Sequence, residues 1–177
     1  EDWQRIKPFY EYREERYADG WLERARQAAN EGALIRFEIP GGFDETRQLM
    51  GEEELCVAYY EQPELIRDIL DTIGRTTERL LEEVTARLQV DHLSVHEDMA
   101  GKSGPLVGPN IFEEFISPYY LRNWKVADSA GAQVFDQDSD GNINPLLDTL
   151  LESGINSLHP FEPAAGMDMV TAHRRYG

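Results

Sequence analysis

Residues 135–145 read Phe-Asp-Gln-Asp-Ser-Asp-Gly-Asn-Ile-Asn-Pro, and this stretch decides which fold the chain can adopt. The apolar run at 132–135 predicts a buried strand, after which acids follow at every second position. Gly141 predicts a turn, and a helix is predicted over 145–152. A strand, a polar turn and a helix in this order place polar groups at the carboxyl end of a strand. Parallel α/β folds bind their ligands at that edge of the sheet.

The composition predicts one acidic, globular domain. At 177 residues the chain is long enough to bury a core, and we expect a single domain over 1–177 in which 1–31 form an N-terminal helical segment. Aspartates and glutamates number 34 against 17 lysines and arginines, so the net charge is -17. This charge repels phosphate backbones and anionic lipid headgroups, so we expect neither a nucleic-acid nor a membrane partner.

Three further features predict a soluble, cytoplasmic protein. No apolar run approaches the roughly 18 residues of a membrane span. The first five residues, Glu-Asp-Trp-Gln-Arg, show no signal-peptide pattern. Cys56 is the single cysteine, so no intramolecular disulfide can form, which fits a reducing compartment.

Strand-like and helix-like segments alternate along the chain. Strands are predicted over 33–39, 92–98, 132–135 and 156–163. Helices are predicted roughly over 9–17, 20–30, 52–61, 63–88, 110–117, 119–130, 145–152 and from 164 onward, with a helical turn over 44–51. Pro63 suits the first turn of the longest helix, whereas Pro118 predicts that the helix is broken or restarted there. The alternation predicts right-handed βαβ units and a parallel sheet.

Each predicted strand ends in an acid or an imidazole. These residues are Glu38; His96, Glu97 and Asp98; Asp138 and Asp140; and His159 and Glu162. If the strands are parallel neighbours, the groups converge on one edge of the sheet, where they can act as general acids and bases or bind a hard cation. The alternative for any single histidine is that it only satisfies a loop carbonyl.

Other motifs in the chain fail when they are tested against their full patterns. Residues 136–141, Asp-Gln-Asp-Ser-Asp-Gly, imitate the start of an EF-hand loop, but Leu147 occupies the twelfth position and a strand precedes the loop. Residues 101–104, Gly-Lys-Ser-Gly, lack the first glycine of a phosphate-binding loop. The three acids of 136–141 repel one another unless a cation, a hydrogen-bond donor or protonation relieves them, so this segment is either a ligand site or a solvated turn.

Several motifs taken together resemble the uroporphyrinogen decarboxylase superfamily. They are His-Glu-Asp-Met-Ala-Gly at 96–101, Gly-Pro-Asn-Ile-Phe-Glu-Glu-Phe at 108–115, Pro-Tyr-Tyr at 118–120, Asp-Ser-Asp-Gly-Asn at 138–142 and Leu-His-Pro-Phe-Glu at 158–162. The resemblance implies a TIM (β/α)8 barrel of which about four units are present, the fourth to the seventh. Such a partial barrel leaves two strand edges open, so we expect the chain to self-associate as a homo-oligomer.

Two branches of this superfamily lead to different expectations. In the decarboxylases, arginines bind the carboxylates of a tetrapyrrole and an aspartate holds its pyrrole N–H groups; here Asp98 would lie near the ring nitrogens. In the methyltransferases that act with corrinoid proteins, a His-x-Cys pair and a distant cysteine hold zinc. That pair would fall on Asp138 and Asp140, and carboxylates suit a harder divalent metal or a neutral or cationic substrate.

The resemblance therefore favours a methyltransferase-like enzyme that acts on a small molecule with a corrinoid protein as its partner. The expected roles are catalytic for His96, Glu97 and Asp98, substrate-binding for Glu38, His159 and Glu162, and divalent-metal-binding for Asp138 and Asp140. One alternative is a uroporphyrinogen decarboxylase of tetrapyrrole biosynthesis. The other is a catalytically inactive domain that serves interaction or structure.

Overall fold

The computed structural model describes residues 2–177, and a parallel sheet lies at its centre. The strands are β1 (Arg36–Ile39), β2 (His92–His96), β3 (Ala100–Gly101), β4 (Gly104–Pro105), β5 (Val134–Asp138) and β6 (Ser157–His159). The sheet has the order β1-β2-β5-β6 with every pair parallel, as the sequence predicts. The antiparallel β3–β4 pair was not predicted.

Helices fill the segments between the strands. They are α1 (Asp2–Tyr10), α2 (Trp21–Asn30), α3 (Asp44–Met50), α4 (Glu52–Glu61), α5 (Pro63–Thr85), α6 (Pro109–Ile111), α7 (Ser117–Ser129), α8 (Leu147–Glu152) and α9 (Met169–Tyr176), with 3-10 turns at Glu14–Arg16, Asn144–Leu146 and Pro163–Ala165. The predicted helices 20–30 and 52–61 are confirmed, as is the start of the longest helix at Pro63. Gly32 after α2 and Gly131 after α7 have φ angles of +93° and +98°, which suits glycine at a helix end.

One face of the sheet is apolar and covered by helices. Side chains alternate along a strand, and the register places Phe37, Leu93 and Phe135 in one row on this face. Tyr120 and Trp124 of α7 pack on the ring of Phe135, with centroid separations of 5.4 and 5.5 Å. The core of the domain therefore lies between the sheet and its helices.

The opposite side of the sheet, called the polar face below, carries mostly ionisable and hydroxyl side chains. By register and alternation its members are Arg36, Glu38, His92, Ser94, His96, Val134, Asp136, Asp138, Ser157 and His159. This division explains why the strands show so few apolar residues in the sequence. Strands covered by helices on both faces would instead read as continuous apolar runs.

The longest helix, α5, supplies much of the core. Its buried apolar residues are Ile66, Ile69, Leu70, Ile73, Leu81 and Val84. Gly74 lies in the middle of this helix, where a Cβ atom would stand 3.2 Å from Tyr119 and 3.1 Å from Arg122 of α7. A glycine at this position lets α5 and α7 approach closely without interrupting α5.

The helix predicted over 9–17 is wrong. The chain instead forms α1 over Asp2–Tyr10, which continues through Pro8. Contacts with α5 hold it: Nε1 of Trp3 donates to Oδ2 of Asp68 at 2.7 Å, and Nζ of Lys7 lies 2.6 Å from Oδ1 of Asp68. Because Asp68 is more than 60 residues away, the local pattern around Pro8 carries no sign of these contacts.

The helix restarts next to Pro118, as one of the two predicted outcomes has it, but the chain does not break there. A π-helical segment at Phe112–Ile116 joins α6 to α7 without a gap. Pro118 lies in the first turn of α7, where its missing N–H costs little, and the wider turn before it accommodates the ring.

The strand predicted over 132–135 is displaced toward its carboxyl end. β5 runs over Val134–Asp138, so Asp136 and Asp138 are strand residues and not members of a turn. Both belong to the polar face, because the neighbouring Phe135 and Gln137 point toward the helices.

Within residues 2–177 the architecture is an open α/β fold, with β1 and β6 at the two edges of the parallel sheet. The described strands do not close into a barrel. None of the helices in this part of the chain has both the length and the apolar composition needed to cross a membrane.

Candidate functional site

His96, Asp138 and His159 form one row at the carboxyl edge of the sheet. The register pairs His96 with Asp138, and Asp138 with His159, on three neighbouring strands. Nε2 of His159 lies 3.5 Å from Oδ2 of Asp138. The structure therefore brings these three predicted residues together at the edge where parallel sheets bind ligands, and their chemical roles stay predictions.

Asp136 lies one row deeper on the polar face and was not among the predicted site residues. Its side chain is 5% exposed, and its Oδ2 lies 2.8 Å from Nδ1 of His159 and 3.8 Å from Nε2 of His92. A buried carboxylate is costly unless a partner compensates it, and the nearer imidazole, that of His159, supplies that partner. Had the strand alternation been continued past Phe135, it would have placed Asp136 on this face.

Two polar atoms beside Asp136 are buried and have no hydrogen-bond partner among residues 2–177. They are Oγ of Ser94 and Nε2 of His92. Ser94 is in register with Asp136 and is fully buried. Buried polar groups in proteins are nearly always satisfied, so these two atoms are exceptions among the side chains of the polar face.

Asp98 joins the end of β2 to the turn after β5. Its φ angle is +43°, a left-handed conformation that aspartate adopts more readily than most residues. Oδ1 of Asp98 accepts a hydrogen bond from the backbone N–H of Asp140 at 3.3 Å, and Oδ2 lies 3.5 Å from Nε2 of His96. On the other side of that imidazole, Nδ1 lies 3.7 Å from Oδ2 of Asp44. His96 is therefore held between two carboxylates, of which Asp44 was not predicted.

Negative charge is concentrated in the turn that follows β5. Oε2 of Glu162 accepts a hydrogen bond from the backbone N–H of Gly141 at 2.6 Å. Desolvation raises the pKa of the Asp140 carboxyl, and the charges of Glu162, Asp98 and Asp138 raise it further. Such an arrangement of carboxylates attracts a cation or a hydrogen-bond donor.

Gly141 is required where this turn meets β3. Its φ angle is +86°, and a Cβ atom would lie 2.3 Å from the carbonyl oxygen of Ala100. No other amino acid fits without moving one of the two backbones, so Gly141 fixes the distance between the turn and the β3–β4 hairpin.

Glu97 does not lie with the other predicted residues. It points away from the polar face and is fully buried in the core. Its Oε1 accepts the backbone N–H of Gly42 at 2.7 Å, and its Oε2 accepts the N–H groups of Phe43 and Asp44 at 2.8 and 2.9 Å. The hydroxyl of Tyr120 donates to Oε1 at 2.5 Å.

The buried carboxyl of Glu97 holds the first turn of α3, and with it the position of Asp44 beside His96. Desolvation raises the pKa of Glu97 to about 7, although its hydrogen bonds act in the opposite direction. The geometry gives Glu97 a positioning role behind the site, and its predicted catalytic role has no support in this arrangement.

Glu38 stands apart from the carboxylates of the turn. It lies on the edge strand β1, where its side chain is 60% exposed and Oε2 lies 2.9 Å from Nη2 of Arg36. Its register partner is Ser94, so it faces the same side of the sheet as Asp136 but not the row of His96.

The residues do not fit a thiolate zinc site. Cys56 lies on α4, where its Sγ contacts the carbonyl oxygen of Leu106 at 3.8 Å, and it is not part of the sheet edge. In the described part of the chain, no group of three or more His, Cys, Asp or Glu side chains is arranged to hold a metal ion.

The fold is that of an open α/β protein, and comparisons with known proteins show what it resembles. The sequence matches no protein-family model and no curated protein. A solved structure of a methyltransferase from Methanosarcina mazei is similar, with a TM-score of 0.58 and 18% sequence identity, and the match covers 77% of this chain. The chain spans 40% of the length of that protein. At this identity the likeness shows a shared fold.

Proposed function

We propose that this chain is a four-unit part of a (β/α)8 protein of the uroporphyrinogen decarboxylase superfamily, from a methyltransferase-like branch. The observation that carries the proposal is the row of His96, Asp138 and His159 on a sheet whose fold is similar to part of a methyltransferase structure. The substrate would lie on the polar face against this row, and a corrinoid protein would be the partner that accepts the methyl group.

The charges of the polar face favour a neutral or cationic small molecule as the substrate. Asp136, Asp138 and Glu38 belong to this face, and Asp98 and Asp140 adjoin its edge. Arg36 is the one arginine that the register places there, and Glu38 already pairs with it. A tetrapyrrole with many carboxylates would be repelled by these groups, which counts against the decarboxylase alternative.

This chain's own residues would bind and orient the substrate. The half-exposed imidazole of His159 can hydrogen-bond to it, and the carboxylates of Asp138 and Asp140 can attract a positive group. A corrinoid bound by the partner protein would supply a nucleophilic cobalt as the methyl acceptor, and the demethylated substrate would leave. His96 or Asp98 would serve as the acid or base at the edge of the site.

A divalent metal at Asp138 and Asp140 stays a prediction to be tested, because among the described residues no third His, Cys, Asp or Glu completes a metal site with these two carboxylates. Two carboxylates and water are donors that suit Mg²⁺ or Mn²⁺ better than zinc. Titration of the protein with Mn²⁺, followed by the water relaxation rate, tests this. The double variant Asp138→Asn with Asp140→Asn should lose binding, and the exposed Asp128→Asn on α7 should not.

The open edges of the sheet lead us to propose that two copies associate. The edges, β1 and β6, present unpaired strands, and a second copy that pairs with them would enclose the polar face. Light scattering should then give a mass twice that of the chain. A monomer at all concentrations would contradict this part of the proposal.

Calorimetry with two probes tests the substrate class. Tetramethylammonium stands for a cationic methyl donor, and uroporphyrin for the polycarboxylate substrate of the alternative. We expect the protein to bind tetramethylammonium. The Asp138→Asn/Asp140→Asn variant should lose this binding, whereas Glu152→Gln, a change at an exposed residue of α8, should keep it. Methyl transfer to reduced cobalamin, followed by absorbance, is the accompanying assay.

The opposite binding pattern would overturn the proposal. If the wild-type protein binds uroporphyrin and the Asp98→Ala variant does not, the decarboxylase is favoured. If neither probe binds and the aspartate variants only raise stability, the acids carry no ligand, and an interaction or structural role is the better explanation.

A further inference from the structure

A second concave surface lies away from the strand-end site, between α1, the α3–α4 region and the start of α5. It is an open groove of about 660 Å³, called the acidic groove below. Its lining residues are Asp2, Trp3, Ile6, Leu49, Met50, Glu53, Glu54, Val57, Ala58, Glu61, Gln62, Leu65 and Ile69. No strand residue contributes to it, so it is separate from the polar face.

The floor of the acidic groove is apolar and open to solvent. Val57 is 47% exposed and Ile6 is 37% exposed, and Leu49, Met50 and Leu65 are half-buried beside them. Single exposed apolar residues are common on protein surfaces, but a contiguous group that shares one concave surface indicates a contact site.

The rim of the groove carries four acids, and three of them have no lysine or arginine partner among residues 2–177. Of the thirteen lining residues, four are acids and none is a lysine or arginine. Among residues 2–177, Glu53, Glu54 and Glu61 have no lysine or arginine nitrogen within the 4.0 Å of an ion pair, and Asp2 has only Arg5 at 3.9 Å.

Helix stability explains some of these acids but not all. Glu53 and Glu54 lie in the first turn of α4, where acids interact favourably with the helix dipole. Glu61 is the last residue of α4, where the same dipole makes a carboxylate unfavourable. Glu61 therefore does not stabilise α4, although it lies just before the start of α5, where a carboxylate is favourable, and it extends the negative rim.

The walls of the groove are anchored to one another. Trp3 is 7% exposed, and its Nε1 donates to Asp68 of α5 at 2.7 Å. Lys7 makes a second contact with Asp68 at 2.6 Å. α1 is thus held against α5, and the groove between them exists before any partner arrives.

We propose that the acidic groove binds a basic amphipathic helix of a partner protein. Apolar side chains at i, i+3, i+4 and i+7 spacing would fill the floor, and lysines or arginines along the flanks would meet the glutamates of the rim. A second copy of this chain fits less well, because the association proposed above pairs the edge strands β1 and β6, and no strand residue lines this groove. An anionic membrane surface is disfavoured because the chain carries a net charge of -17.

Fluorescence anisotropy with labelled synthetic peptides tests this proposal. The probe is a short helical peptide of leucine and lysine with leucines on one face; its controls are a glutamate-for-lysine twin and a scrambled leucine–lysine sequence. Val57→Asp combined with Ile6→Ser should weaken binding of the probe by about tenfold or more, because it places a charge in the apolar floor. Glu53→Gln with Glu61→Gln should weaken it about two- to fivefold at low salt.

A matched variant separates the groove from the overall charge of the chain. Asp128→Asn with Glu152→Gln removes the same two charges from α7 and α8 and should leave binding unchanged. Circular dichroism of each variant shows that it is folded.

Several results would overturn the proposal: no binding of the probe, equal binding of the scrambled peptide, or equal weakening by the Asp128/Glu152 variant. Self-association that Val57→Asp abolishes would do so as well, because it would make a second copy the occupant.

Discussion

Nδ1 of His159 lies 2.8 Å from Oδ2 of Asp136, across the β5–β6 pair and one row below the carboxyl edge of the sheet. Asp136 is almost completely buried, whereas the side chain of His159 is 52% exposed. The carboxylate therefore orients an imidazole whose other nitrogen faces Asp138 and the open side of the site. This contact links the interior of the polar face to the row where the substrate would bind.

Asp136→Asn tests that link. The amide keeps the size of the side chain but removes the charge that holds His159, so the affinity for tetramethylammonium should fall about tenfold. Calorimetry measures the affinity, and Asp128→Asn, an equivalent change on the surface of α7, is the control. Unchanged affinity in Asp136→Asn would mean that His159 does not need this carboxylate.

Replacement of Glu97 should destabilise the protein strongly. Glu97→Ala leaves three buried backbone N–H groups and the Tyr120 hydroxyl without their acceptor, and we expect a loss of about 3–5 kcal/mol in the free energy of unfolding. Tyr120→Phe removes one of the four donors and should cost about 1–2 kcal/mol. Urea denaturation at neutral pH measures both. A loss below that of Tyr120→Phe would show that the loop before α3 does not depend on Glu97.

The same residue predicts a pH dependence of stability. The pKa of Glu97 is about 7 in the folded protein against an ordinary value of 4.5, so the folded state keeps a proton that the unfolded state has released. The contribution of this pKa difference to the free energy of unfolding is therefore complete below pH 4.5 and is lost as the pH rises through about 7. It amounts to about 3 kcal/mol, because a difference of one in pKa between the folded and unfolded states corresponds to about 1.4 kcal/mol.

Glu97→Gln is the matched reference for this effect, because it resembles the neutral carboxyl and does not titrate. Between about pH 5 and pH 8 the wild-type protein should lose stability relative to Glu97→Gln, while the contributions of the other carboxyl groups cancel in the difference. Denaturation of both proteins across this range measures it. A difference that is constant with pH would show that Glu97 has an ordinary pKa.

Gly141→Ala should lower the free energy of unfolding by more than the positive φ angle of Gly141 alone explains. Gly141 combines a φ angle of +86° with a Cβ position 2.3 Å from the carbonyl oxygen of Ala100, whereas Gly32 has a φ angle of +93° and free space around it. Gly32→Ala should therefore cost about 1 kcal/mol. Gly141→Ala should cost about 2–4 kcal/mol and weaken ligand binding. Equal losses of stability in the two variants would mean that the β3–β4 hairpin moves to make room for the added Cβ atom at little cost.

Local sequence patterns predicted the elements that local physics controls. The apolar stripe after Pro63 predicted α5, and the glycines at 32 and 131 end α2 and α7 as expected. The patterns failed where a distant contact decides the outcome. α1 is held by Asp68, and a π-helical segment accommodates Pro118. The local sequence at 2–17 does not predict the contact with Asp68, and the local sequence at 112–118 does not predict the π-helical segment.

The candidate site shows the same division. Acids and imidazoles at four strand ends could be recognised from the sequence, and the structure gathers His96, Asp138 and His159 into one row. Glu97 looked equivalent to its two neighbours, yet it points into the core because adjacent residues at the end of a strand face opposite sides. Asp136 was not predicted as a site residue because β5 continues to Asp138, beyond the apolar residues from which the strand was predicted.

The sequence by itself determined the alternation of the main parallel strands with helices, the acidic composition and the edge of the sheet where the candidate site lies. These follow from side-chain periodicity, glycine and proline positions and charge, all of which act over a few residues. Only the tertiary structure decided which carboxylates are buried, which of them meet an imidazole and which hold a helix in place. Those outcomes depend on the register between strands and on packing between distant segments, and the free energy of a charged group changes most when neighbouring elements exclude water from it.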